Sequence, residues 1–266
     1  MTRLLLAAAV ALSLAGADPP GVDVLRDISY TVGSPEDAPK HQLDLYRPTH
    51  ARNAPVLLFI HGGAWRAGDR RQYIALGNRF AREGIVTAVM SYRLAPKNPH
   101  PAQIQDVAAA FAWVARNIGK HGGDPKRIFV AGHSAGGHLA ALLTLDQRYL
   151  RTYGLSSRDI RGTITLSGVY EVRGEESVFG KDPRARKQAS PLSYVKAGAP
   201  PFLIVYCERD FPTLPAQARW FHRALRDAGV PAELVFIPGQ GHISEIVHLG
   251  SDGDPTAQAI LRFMKR

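Results

Sequence analysis

Cysteine is almost absent. Cys207 stands alone among 266 residues, which excludes an intrachain disulfide and thiolate zinc sites. Long apolar runs are missing too. Past the N-terminal stretch, none approaches the roughly 18 consecutive apolar residues that crossing a bilayer requires. No internal repeat, low-complexity tract or interdomain linker interrupts the chain. The formal net charge is +10, yet the basic residues are scattered, and the densest run, 181–187, also contains Asp182 and Pro183. No aromatic stripe interleaves with them, as a groove for single-stranded nucleic acid would require. The charge therefore reads as a solvated basic surface, and nucleic acid is not expected as a partner.

What is present is an ordinary globular composition, 45% hydrophobic and 21% charged, in a length that suits one domain. The first residues stand apart. Arg3, the apolar run 4–14 and the small residues Ala15, Gly16 and Ala17, followed by Asp18, Pro19 and Pro20, follow the grammar of a secretory signal. Residues 1–17 are therefore expected to be a signal peptide, with no membrane insertion after its removal and a secreted or periplasmic protein as the product. A cytoplasmic location is the alternative, because Arg3 alone makes a minimal basic region. Residues 18–266 are expected to form a single domain.

Short strands are predicted over 27–32 and 42–46, around a turn at 33–37. Continuous apolar runs at 56–60, 85–90, 128–130, 163–166, 202–206 and 234–237 then alternate with helical patterns at 72–82, 102–118, 138–145, 216–227 and 256–264. Apolar strands alternating with helices predict an α/β fold, a mostly parallel central sheet with helices on both faces. Segment 170–200, with weak periodicity and several prolines, would suit a loop or small cap over the sheet edge.

The chemistry gathers at strand ends. Gly132-His133-Ser134-Ala135-Gly136 is a G-x-S-x-G sequence between an apolar strand and a helix. Such a turn lifts the Ser134 hydroxyl above the sheet and aims the Ala135 N–H at a developing oxyanion. His61-Gly62-Gly63-Ala64-Trp65 follows an earlier buried strand, and its glycines let backbone N–H groups approach a substrate carbonyl; Gly63 and Ala64 are the candidate donors. Asp210 follows the strand at 202–206 and His242 the strand at 234–237, in the order nucleophile, acid, base. Glu208 and Asp252 are alternative acids. His61 is expected to orient its loop, and His133 and His138, inside the turn and its helix, to be structural. Trp65 and Phe211 are candidates for lining an acyl pocket, from their adjacency to the oxyanion loop and the acid.

HGGAW at 61–65, SYRLAP at 91–96, GHSAGGHL at 132–139, the acid of YCERD at 206–210 and GQGH at 239–242 together resemble carboxylesterases of the α/β-hydrolase superfamily. The likeness is to the feruloyl-esterase-like and kynurenine-formamidase-like branch and spans roughly residues 40–245. It implies an α/β-hydrolase fold and a triad in which Ser134 attacks, His242 moves the proton and Asp210 orients His242. Gly63, Ala64 and Ala135 would form the oxyanion hole. Cys207 departs from the glycine usual at its position and is expected to crowd the loop carrying Asp210. The expected reaction is acyl transfer through an acyl-enzyme on a small-molecule ester, short-chain or aromatic in its acyl part, with no metal or organic cofactor. An arylformamidase or other amide hydrolase, and a non-catalytic ligand-binding protein on the same fold, are the alternatives.

Overall fold

Eight strands hydrogen-bond into one sheet in the order β1-β2-β4-β3-β5-β6-β7-β8 in a computed structural model that describes residues 20–266. They are β1 (Val22–Ser29), β2 (Gln42–Pro48), β3 (Ala54–Ile60), β4 (Val86–Met90), β5 (Gly123–His133), β6 (Gly162–Leu166), β7 (Phe202–Arg209) and β8 (Ala232–Gly241). The pairs β1–β2 and β2–β4 are antiparallel and all the others parallel. The expected leader, residues 1–17, lies outside the described residues. Among those described, no helix is long and apolar enough to cross a membrane.

The continuous apolar runs are explained by burial on both faces of the sheet. Val56, Leu58 and Ile60 of β3 join one core with Ile104, Val107 and Phe111 of α2 (Ala102–Asn117) and Leu139 and Leu142 of α3 (Ala135–Leu145). Leu57 and Phe59, pointing the other way, join a second core with Leu76 and Phe80 of α1 (Ile74–Arg82) and with Ile260 and Phe263 of α9 (Pro255–Met264). A third cluster, with Phe202, Ile204, Phe221 and Leu225, seats α7 (Leu214–Asp227) against β7. Four short helices complete the set: α4 (Gln147–Arg151), α5 (Glu176–Phe179), α6 (Pro183–Gln188) and α8 (His242–His248).

The first strand is displaced from its predicted 27–32 to Val22–Ser29. Its alternation is hidden by a bulge between Leu25 and Ile28, with Asp27 at φ 57°. The bulge has an electrostatic reason. Arg70, 1% exposed, donates from Nε to Asp44 Oδ1 at 2.9 Å and from its terminal nitrogens to Gln42 and Asp27. A buried guanidinium needs this many acceptors to offset its lost hydration, and Asp27 must leave the strand path to serve as one.

Segment 170–200 contains α5, α6 and a 3₁₀ turn at Pro191–Tyr194. It is tied to the body by Tyr170, stacked on Phe221 with centroids 4.1 Å apart, by an Arg66–Glu175 ion pair, and by Phe179, which packs edge-on to Trp65 at 4.9 Å.

Candidate active site

Five consecutive parallel-strand ends supply the site, because parallel strands release their chain at one common edge of the sheet. The turn after β5 is the tightest. Ser134 has φ 55° and ψ −116°, a conformation that costs a non-glycine residue about 1–3 kcal/mol. It is held there by its N–H on Leu166 O (2.8 Å) and by His138 N–H on its own carbonyl (3.0 Å), the first turn of α3. Close packing explains the flanking glycines. A Cβ on Gly132 would lie 2.3 Å from Gly136 carbonyl atoms, and one on Gly136 would lie 2.1 Å from Ile60 O. Gly136→Ala therefore forces backbone apart and is expected to cost about 3 kcal/mol or more. Thermal melts should place it about 10 °C below wild type; an unchanged Tm would contradict this packing.

The loop after β3 lies directly against that turn: a Cβ on Gly62 would fall 2.8 Å from His133 Nδ1 and 3.4 Å from Ser134 Cβ. Gly63, Ala64 and Trp65 all have positive φ, 113°, 51° and 58°. Arg66 and Ala67 N–H groups turn back onto Gly63 O at 3.0 and 2.9 Å. Neither Gly63 nor Ala64 donates its own N–H to a backbone acceptor among the described residues, and both are exposed. Ala135 N–H opens α3 and so has no acceptor within the helix. Three N–H groups on the Ser134 turn and the loop packed against it thus lack a backbone acceptor among the described residues.

Two consecutive left-handed non-glycine residues need support, and Trp65 provides it. It is 5% exposed, and its indole N–H donates to His138 Nδ1 at 3.1 Å, while Ala95 N–H donates to its carbonyl. Since His138 Nδ1 accepts, Nε2 carries the proton and donates it to Ala189 O at 2.7 Å. His138 therefore clamps the oxyanion loop to α3 and to segment 170–200. His61, fully buried, stacks on Tyr92 at 4.1 Å and donates from Nδ1 to Gly62 O. Tyr73 Oη accepts from Gly62 N–H at 3.1 Å.

The base and acid meet at the ends of β8 and β7. His242 opens α8, and its Nδ1 donates to Asp210 Oδ1 at 2.7 Å, with both side chains buried (5% and 0% exposed). Phe211 N–H also donates to Asp210 Oδ1, at 2.9 Å. Burial pushes the Asp210 carboxyl up, but the hydrogen bond from His242, with the Ser167 hydroxyl nearby, outweighs it and holds it below the ordinary value. With Nδ1 committed to Asp210, Nε2 is the free basic nitrogen. His133, next to Ser134, donates from Nε2 to His242 O at 2.9 Å, and the two rings lie 4.6 Å apart. That bond fixes the base relative to Ser134. Phe211, half exposed, packs its ring 4.3 Å from that of His242. The alternative acids stand elsewhere: Glu208 accepts Gly239 N–H, and Asp252 is exposed beside Arg79.

Cys207 is buried in the second core, next to Ile237 on the pairing strand. Two residues that sequence reasoning passed over lie behind the acid: Ser167, at the end of β6, and Glu245, on α8 and fully buried. A separate cleft lined by His41, Arg93, Asp106, Arg148 and Tyr153 contains none of the candidate residues. Among the described residues no group of three or more His, Cys, Asp or Glu side chains is arranged to hold a metal ion.

Burial lowers three histidines around the site, His61 to about 4 and His133 and His138 to about 3. The unfolded chain binds these protons more readily, so stability falls as pH drops below about 6.5 toward those values. Glu245 acts in the opposite sense: raised by burial to about 7, it adds stability as pH falls from there toward its unfolded value near 4.5. At about pH 5 these three histidines and His100, also lowered by burial to about 4, cost about 2 kcal/mol each relative to pH 7 and Glu245 offsets about 2 kcal/mol, a net loss of about 6 kcal/mol. Melts at pH 5 are expected about 15 °C below those at pH 7; a higher Tm at pH 5 would reverse the assigned protonation.

Residues 43–153 match the BD-FAE family. Esterase LipQ of Mycobacterium tuberculosis is 38% identical over 227 residues, covering 76% of this chain and 53% of the relative. Esterase LipC of the same organism is 34% identical over 86% of this chain and 63% of the relative. The isoprenylcysteine alpha-carbonyl methylesterase ICME of Arabidopsis thaliana is 29% identical over 77% of this chain and 54% of the relative. The chain thus spans between about half and two thirds of the length of these curated relatives. Among solved structures, esterase B from Lactobacillus rhamnosis superposes with a TM-score of 0.80 at 23% identity, over 93% of this chain and 86% of that one. A truncated carbohydrate esterase from gut microbiota superposes with a TM-score of 0.78 at 22% identity, over 91% and 95%.

Proposed function

We propose that this chain, which has the α/β-hydrolase fold, is a serine hydrolase cleaving carboxylic esters. The observation that carries the reading is the buried 2.7 Å His242–Asp210 pair, fastened through His133 to the Ser134 turn, where N–H groups lack a backbone acceptor among the described residues. Ser134 Oγ attacks the ester carbonyl as His242 Nε2 takes its proton, and Asp210 keeps the imidazole in the Nδ1–H tautomer and stabilises the imidazolium. The oxyanion develops among the N–H groups of Gly63, Ala64 and Ala135, each such donor contributing roughly 10²–10³ in rate. His242 returns the proton to the departing alcohol. Water, activated by the same base, then releases the acid. The esterase names of the relatives support this chemistry.

The substrates proposed are small esters with a short-chain or aromatic acyl group, with Phe211 as the exposed apolar surface beside the base. A nitrophenyl ester series from acetate to octanoate tests this directly. Turnover of the short members supports the reading; turnover of formyl-kynurenine and none of the series would assign an amide hydrolase. Ligand binding without turnover would assign a binding protein. Export is proposed on the basic-apolar-small pattern of residues 1–17. Mass spectrometry of the secreted or periplasmic protein should find a chain beginning at Asp18, whereas a full-length chain confined to the cytoplasm would rule export out.

A further inference from the structure

The acid of the site is fastened on one side only. Asp210 Oδ1 accepts two hydrogen bonds, from His242 and Phe211, while Oδ2 is buried without a partner. Ser167 stands behind it. Its φ is 47° and it is 1% exposed; its hydroxyl lies 2.7 Å from Glu245 Oε2 and close enough to Asp210 to help hold that carboxyl below its ordinary value. Glu245 is fully buried, and its Oε1 also has no hydrogen-bond partner.

If both carboxyls were ionised, one serine proton would have to serve two buried anions, leaving an acceptor orphaned on each. That arrangement costs several kcal/mol. One added proton removes the conflict. We propose that Ser167 and Glu245 are a positioning pair for the esterase triad: neutral Glu245 donates its proton to Ser167 Oγ, and Ser167 donates its own to Asp210 Oδ2. Asp210 is then held through both oxygens, and the orientation passes to His242. This inference rests on the ester-hydrolase reading for its effect on rate, but not for the existence of the hydrogen-bond chain.

The surroundings favour the neutral acid. Glu245 contacts Ser167 at the end of β6 and feels Cys207 on β7 and the charges of Asp210 after β7 and Asp254 at the start of α9; His242 shares its helix, and Tyr170 also senses its charge. Asp210 and Asp254 both oppose a further negative charge, and Asp254 is already occupied by Gln240 and Ala257 N–H. The Cys207 thiol stands near the Glu245 carboxyl without hydrogen-bonding its Oε1. Burial first, then these carboxylates against the Ser167 hydrogen bond, bring its titration to about 7.

The decisive test is infrared difference spectroscopy of wild type against Glu245→Gln, which needs no substrate. A protonated-carboxyl stretch should be present at about pH 6, absent from the variant, and titrate away with a midpoint near 7. Its absence, or titration in the ordinary glutamate range near 4.5, would overturn the proposal. Kinetics then assign the role. Glu245→Gln keeps a donor toward Ser167 and should retain kcat within about threefold, since an amide N–H replaces the acid O–H. Ser167→Ala removes the bond to Asp210 and should lower kcat about 10- to 100-fold with KM unchanged. Loss in the glutamine variant as large as that in Ser167→Ala would show that the carboxylate is needed, against the proposal. A wild type inert to every ester would sink the function while leaving the infrared result to decide the chain.

Discussion

Ser134→Ala is expected to reduce hydrolysis of short nitrophenyl esters by about 10⁵-fold or more, to the level set by the remaining donors and binding. The Ser167 hydroxyl cannot stand in for that of Ser134, since it is buried and engaged by Glu245. The fold should not suffer, because Ser134 makes no side-chain cap to α3 and alanine occupies the same backbone position. Ser134→Gly separates function from strain. Glycine accepts φ 55° without a Cβ clash, so it should be as inactive as the alanine variant and more stable by about 1 kcal/mol. Equal activity in wild type and alanine variant, both folded, would mean another nucleophile.

Asp210→Asn should lower kcat by about 10⁴-fold while leaving KM and Tm close to wild type. The amide nearly matches the carboxylate in shape, and the loss is one of tautomer and charge. Asp210 Oδ1 now accepts the Nδ1 proton of His242 at 2.7 Å. An amide nitrogen turned to that position would donate instead, driving the proton to Nε2 and removing the free basic nitrogen of His242. A carboxamide oxygen in the same place would still lack the charge that stabilises the imidazolium. Neither Glu208 nor Asp252 can substitute, since each is committed or exposed away from the pair. A fall of tenfold or less on steady-state kinetics would remove Asp210 from the acid role.

The sheet was legible because its central strands are buried on both faces and so read as unbroken apolar runs, each ending where the chain must turn. That punctuation also located Ser134, Asp210 and His242, which are polar residues set directly after such runs. Where two demands compete, the pattern fails. In β1 the need of Arg70 for acceptors draws Asp27 out of register, and the alternation that would have marked the strand is broken. In α8 the usual inside-outside rule is inverted: Ile243 and Val247 are 50% and 64% exposed, while Glu245 is buried. A short helix with Ile243 and Val247 exposed, Ile246 alone packed on the core and its carboxyl buried cannot be recognised from periodicity. Glu245 became visible only once Ser167 and Asp210 were seen beside it. Trp65 illustrates a subtler limit. Its place next to the oxyanion loop was evident, but only the fold shows it packed inside, on His138 and Phe179.

The central claim is that Ser134 is the nucleophile activated by His242. A fluorophosphonate that forms a stable adduct with activated serines, followed by peptide mapping, addresses it most directly. One adduct per chain on the peptide carrying Ser134, lost in Ser134→Ala and strongly slowed in His242→Ala, is the predicted result. An adduct on another residue, or no adduct in a preparation that hydrolyses esters, would contradict it.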